Sequence, residues 1–161
     1  MRYNPKRSKK GEIMLNLACG TITSPDWNNL DFSLYAKLRK HSIIVKILYL
    51  IGILSQQRYE TLIKIDKDII CWDLRKGIPF NDNVFDCIYC AQFIEHLDRE
   101  KLPFFLNECY RVLHKGGIIR IVTPNLEYGV SKYLNIIKKI KNDFNNNFLW
   151  QQYDSVMDEI F

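Results

Sequence analysis

The sequence has no apolar run long enough to cross a bilayer. The longest, IIVKILYLIGIL at positions 43–54, is 12 residues interrupted by Lys46, whereas a spanning helix needs roughly 20. Histidine is scarce at three residues, and the five cysteines (Cys19, Cys71, Cys87, Cys90, Cys109) form an odd set. Cys87 and Cys90 have C-x-x-C spacing, but no second Cys/His pair follows. They also fall on a predicted strand, where residues three apart point to opposite faces. Zinc and redox chemistry are therefore not expected, no metal site is assigned, and the thiols read as buried and inert. No secretion signal precedes them, so reduced thiols in a cytoplasmic protein are expected. Repeats and low-complexity runs are absent too, which excludes solenoids and extended disorder. A G-x-G-x-x-G turn opening a helix is also missing: the corresponding positions hold Ala18, Gly20 and Thr23. A ligand held by its pyrophosphate is thereby disfavoured.

Acidic residues are absent from the first ten positions, which carry Arg2, Lys6, Arg7, Lys9 and Lys10, as many charges as the whole formal net charge of +5. Residues 1–10 read as a basic flexible tail, solvated and frayed, with a phosphate-rich partner or an anionic membrane as the functional alternative. No basic face interleaved with aromatics is visible, so nucleic acid is not an expected partner.

At 161 residues and 47% hydrophobic content the chain suits a single domain. Residues 71–125 organise it: an apolar strand, an amphipathic helix, a Gly-Gly turn and a second apolar strand, which is half of a doubly wound α/β sheet. In chain order, strands are predicted at 13–18, ending at Leu30-Asp31-Phe32, and at 69–72, 84–91 and 118–123. Gly20 and Asp31 are only eleven positions apart, fewer than a parallel crossover usually takes. The helix expected between the first two strands must be very short or absent. A helical pattern runs over 33–55, another over about 100–113 with Lys115-Gly116-Gly117 as its glycine stop, and two helices fill 128–161. The expected architecture is a Rossmann-like, doubly wound parallel sheet of about five strands over 11–127, followed by a helical tail.

In open parallel sheets ligands bind past the carboxyl ends of the strands. Gly20 would let backbone approach a ligand, Asp31 would accept ribose hydroxyls, and Asp73, at the end of the third strand, could receive an adenine amino group.

Together these segments resemble class I S-adenosylmethionine-dependent methyltransferases of the type 11 group. LNLACG is similar to that family's first motif, LDF to its second-strand acid, DLRKGIPFNDNVFDCIYCAQFIEHL to its third- and fourth-strand motifs, and RVLHKGGIIRIVTPNLE to its glycine turn and fifth strand. More narrowly, the pattern is similar to predicted methyltransferases of surface-polysaccharide gene clusters. The resemblance implies S-adenosyl-L-methionine as cofactor. Asn16, Ala18, Cys19 and Gly20 would surround its methionine part, Asp31 and Phe32 its ribose, Asp73 and Leu74 its adenine, and Ala91 and Gln92 would line the floor near the sulfonium. Glu95 and His96, just past the fourth strand, are the candidate bases for an oxygen acceptor.

There are departures from the family pattern. Asn16 replaces a common acid, and Ala18 and Ile22 replace glycines. The chain stops after the fifth strand, where the family adds an antiparallel pair, which points to a truncation or to a homo-oligomer covering the exposed sheet edge. The expected activity is methyl transfer to a small-molecule, sugar or lipid-linked glycan acceptor. The alternatives are a degenerate, non-catalytic nucleoside binder, or a peripheral membrane or adaptor module built on the basic tail and the 33–55 helix.

Overall fold

A computed structural model describes residues 2–160, with side chains described through Val156. Two compact units divide the chain, residues 1–122 and 123–161. The second unit's first helix begins at Leu126, where the Asn125 side chain accepts from the Tyr128 amide.

The first unit is a five-stranded, wholly parallel sheet. Its strands are β1 (Met14–Leu17), β2 (Trp27–Asp31), β3 (Ile70–Cys71), β4 (Phe85–Ala91) and β5 (Leu113–Val122), in the order β3-β2-β1-β4-β5. The winding direction reverses between β1 and β4, so a topological switch point lies at their carboxyl ends. Register fixes the faces. Leu15 lies beside Ile88, and Leu17 beside Leu30 and Cys90. These residues share one core with Phe80 and Phe85 and with Phe105, Cys109 and Val112 of α4 (Leu102–Val112).

On the opposite face the β1 to β2 connection, residues 18–26, contains no helix. Asparagines replace the apolar contact a crossover helix would make. The Asn16 amide donates to the Ile22 carbonyl (3.1 Å) and to Asn29 Oδ1 (3.2 Å), and Asn29 donates to the Ser24 carbonyl (2.7 Å) and to Asp66 (3.1 Å). The loop is thus pinned by buried polar bonds, and those groups are satisfied.

Three expectations are corrected. The helical segment over 33–55 is two helices, α1 (Leu34–Arg39) and α2 (Ser42–Leu50), and α3 (Gln56–Lys64) follows. Backbone at His41 leaves the helical region, and the Arg39 side chain is buried, donating to the Ile65 carbonyl at 2.7 Å. Second, α4 ends at Val112 without a glycine cap. The amides of Asn83 and Val84 satisfy the carbonyls of Arg111 and Val112, so the chain passes directly into β5. Gly116, at φ 87°, lies instead within the irregular start of that strand. Third, Tyr3 and Lys6 of the amino-terminal segment are docked on the first unit. Tyr3 packs on Trp72 and Phe80, and its amide donates to the Pro79 carbonyl. Lys6 exchanges two backbone bonds with the Asn28 side chain and pairs with Asp66 at 3.0 Å.

The second unit is a pair of helices, α5 (Leu126–Asn142) and α6 (Asn147–Ile160), closed over Ile136, Ile140 and Val156 with Tyr133 and Trp150 beside them.

Candidate functional site

Past Leu17 the chain makes a tight turn. Ala18 has φ 50° and Gly20 φ 54°, a left-handed region that costs an L-residue about 1–2 kcal/mol. A Cβ placed on Gly20 would meet nothing within 4 Å, so open space lies against this backbone. Asp31 closes the turn. Its Oδ2 accepts from the Gly20 amide (2.8 Å) and its Oδ1 from the Ser33 amide (2.6 Å), and the residue is only 7% exposed. Each carboxylate oxygen has two acceptor sites, so one on each remains for a ligand. Ser33 in turn caps α1, its hydroxyl accepting from the Ala36 amide.

Asp73 caps the 3-10 turn Leu74–Lys76. Arg75 grips its carboxylate through Nε and Nη2 at 2.8–3.1 Å while the Arg75 amide donates to Oδ1. These bonds to Arg75 hold the Asp73 carboxyl below the usual carboxylate range.

Two clefts adjoin along the carboxyl edge of the sheet. One, about 320 Å³, is lined by Ala18, Asp31, Phe32, Asp73, Leu74 and His96, among others. The other, about 340 Å³, lies at the switch point between β1 and β4 and is lined by Asn16, Ala18, Cys19, Gly20, Ala91 and Gln92, with Tyr89 and Ile22. Ala18 borders both. Each is of a size that suits a small-molecule site. Gln92, like Ala18, has positive φ, 49°. Backbone strain thus sits on both strand ends that flank the switch point, a pattern that clusters at binding sites.

All ten residues expected to contact a cofactor line one cleft or the other. The two expected bases separate. His96 lines the first cleft, whereas Glu95 lines neither, because successive residues of their 3-10 turn, Ile94–His96, point about 120° apart. Both are exposed, and neither side chain has a hydrogen bond or ion pair among the described residues. Trp72, Arg75, Phe93 and Leu97 also line the first cleft and were not singled out from sequence. For Tyr89 a signal existed: alternation against buried Ile88 and Cys90 puts it on the other face, two residues before Ala91.

Three of the five thiols, Cys19, Cys90 and Cys109, are buried, and Cys71 and Cys87 are partly exposed. Burial pushes Cys19 up to about 12, with the Asp31 charge adding to it, and burial does the same to Cys90 and Cys109. No group of three His, Cys, Asp or Glu side chains is placed to hold a metal ion among the described residues.

Residues 51–121 match the Methyltransf_11 family, described as a methyltransferase domain. Among solved structures the chain is similar to a protein of Methanococcus maripaludis proposed as an S-adenosyl-L-methionine-dependent methyltransferase, at 21% identity, covering 91% of this chain and 67% of that one, with a TM-score of 0.41. No curated protein matches.

Proposed function

We propose that the chain is an S-adenosylmethionine-dependent methyltransferase, a reading supported by the match of residues 51–121 to a methyltransferase-domain family, that the two clefts together hold that cofactor, and that the methyl group goes to a small-molecule, sugar or lipid-linked glycan acceptor. The observation that carries this reading is the Asp31 carboxylate, tied to the Gly20 amide beside open space and retaining acceptor sites for a vicinal diol. The residues present fit a nucleoside with no phosphate. The short β1 to β2 connection offers no helix amino terminus for an anion.

In this reading the cofactor supplies an electrophilic methyl group on a sulfonium. Asp31 binds the ribose. Trp72, Leu74 and Phe32 provide apolar surface for the base, and Asp73 acts mainly by orienting Arg75, which occupies its oxygens. Ala18, Gly20, Ala91 and Gln92 shape the cleft at the switch point, where Asn16 fixes the loop through Ile22. In-line displacement depends mainly on orientation, so these positioning groups carry most of the task. For an oxygen acceptor His96 is the proton-accepting group; Glu95 has no place in either cleft. Five free thiols support a reducing, cytoplasmic setting.

Calorimetry on the full chain with S-adenosylmethionine and S-adenosylhomocysteine tests this. Saturable binding of both is expected, and absence of heat at millimolar ligand would reject the reading.

A further inference from the structure

We propose that the segment spanning α1, α2 and α3 is a docking surface for an anionic phospholipid bilayer. Within α2 only Val45 is buried, with Leu48 and Tyr49 half-buried. At 3.6 residues per turn these three share one side of the helix, while Ile43, Ile44, Ile47 and Leu50 fall on the other. Those four are 76%, 48%, 50% and 70% exposed. The turn beyond adds Ile51 and Ile53, and the flanking helices add Leu34 and Ile63, all exposed. A helix apolar all round normally lies within a core. Here its second apolar side faces solvent. Scattered exposed leucines are ordinary, but a contiguous cluster marks an interaction surface.

Charge selects the occupant. Across α1 to α3, positions 34–64, the only acidic residue is Glu60, while Lys37, Lys40, Lys46, Arg58 and Lys64 are exposed. A second copy docked on this face about a two-fold axis would bring like charges together. Anionic headgroups complement them instead, and the lysine stems can lie along the apolar surface with their ammonium groups in the headgroup layer. Among the described residues no helix is long and apolar enough to cross a membrane, so the geometry is interfacial. In it α2 lies in the plane and the tip at Ile51 and Ile53 enters by about 5–10 Å.

The surface is continuous with the clefts. Phe32 and Ser33 line the first cleft and α1 starts at the next residue, so docking would bring the cleft rim to the bilayer. The acceptor would then be lipid-borne, a step that alone rests on the methyl-transfer reading.

The test is cosedimentation of the full chain with vesicles of phosphatidylcholine, with and without about 30% phosphatidylserine, at roughly 0.05 M and 0.5 M salt. Binding to the anionic vesicles at low salt is expected, about tenfold weaker to neutral vesicles or at high salt. The double variant Ile43→Asp/Ile47→Asp should lower partitioning at least about tenfold while remaining folded by circular dichroism, since both side chains are at least half exposed. No pelleting with anionic vesicles overturns the proposal, as does equal pelleting of the variant, which would leave the amino-terminal cations as the binding element. So does a concentration-dependent dimer abolished by the variant without vesicle binding, which would make a second copy the occupant. Calorimetry with S-adenosylhomocysteine on the same variant should be unchanged. A wild-type chain that pellets but binds no cofactor leaves the docking surface standing and removes only the lipid-borne acceptor.

Discussion

Replacing Asp31 separates what its carboxylate does for the fold from what it does for a ligand. In the folded chain it accepts from two amides, Gly20 at 2.8 Å and Ser33 at 2.6 Å, and is almost wholly enclosed. Asp31→Ala leaves both amides without their acceptor, at about 1–2 kcal/mol each after water enters, so urea unfolding should show a loss of about 2–4 kcal/mol. Asp31→Asn keeps one acceptor oxygen and should lose about half as much. Ligand binding adds a separate effect. A ribose diol donating to a charged acceptor contributes about 1–3 kcal/mol, so the dissociation constant for S-adenosylhomocysteine should rise by roughly 5- to 150-fold in Asp31→Asn. Calorimetry below the variant's unfolding midpoint measures this directly. Affinity within twofold of wild type, alongside the stability loss, would make Asp31 a loop clamp alone and refute the placement of the ribose.

Two further outcomes are expected. Ala18→Gly relieves left-handed strain of about 1–2 kcal/mol against a glycine entropy cost of about 0.5–1 kcal/mol. Thermal unfolding should therefore shift upward by zero to about 6 °C, and a clear decrease would mean the methyl makes contacts that outweigh the strain. His114, whose pKa is raised by its bond to the Lys115 carbonyl and by the Asp86 carboxylate, binds its proton more tightly folded than unfolded. That contribution is complete below the unfolded value of about 6.5 and is lost as pH rises through the higher folded value. The unfolding midpoint of His114→Gln should accordingly fall less than wild type between about pH 6 and pH 9, and parallel profiles would refute the pairing.

Where neighbours in sequence decide, the sequence is legible. β1 and β4 declare themselves by apolar runs between turns, and the residues expected to face a cofactor at the strand ends follow once the strands are placed. Non-local partners escape it. Nothing local to Tyr3 announces Trp72 and Phe80, and nothing near His114 points to Asp86, 28 residues away. The break at His41 hides because apolar residues on both sides of α2 let one periodicity run through it. Glycines after α4 suggested a cap, yet the Asn83 and Val84 amides had already satisfied the helix carbonyls. Of the paired candidate bases, His96 lines a cleft and Glu95 does not, because a 3-10 turn separates adjacent side chains.

The helix-free connection between β1 and β2 also bears on how the sheet is assembled. Met14 pairs with Trp27 on one side and with Cys87 on the other, closing loops of 13 and 73 residues. By chain entropy alone the second closure costs about 1.5 kcal/mol more, and pairings of such separation are slow to form. In kinetic terms, then, the turn carrying Gly20 and Asp31 can form as a nearly local unit. The switch-point cleft between β1 and β4 is completed only when the two halves of the sheet meet.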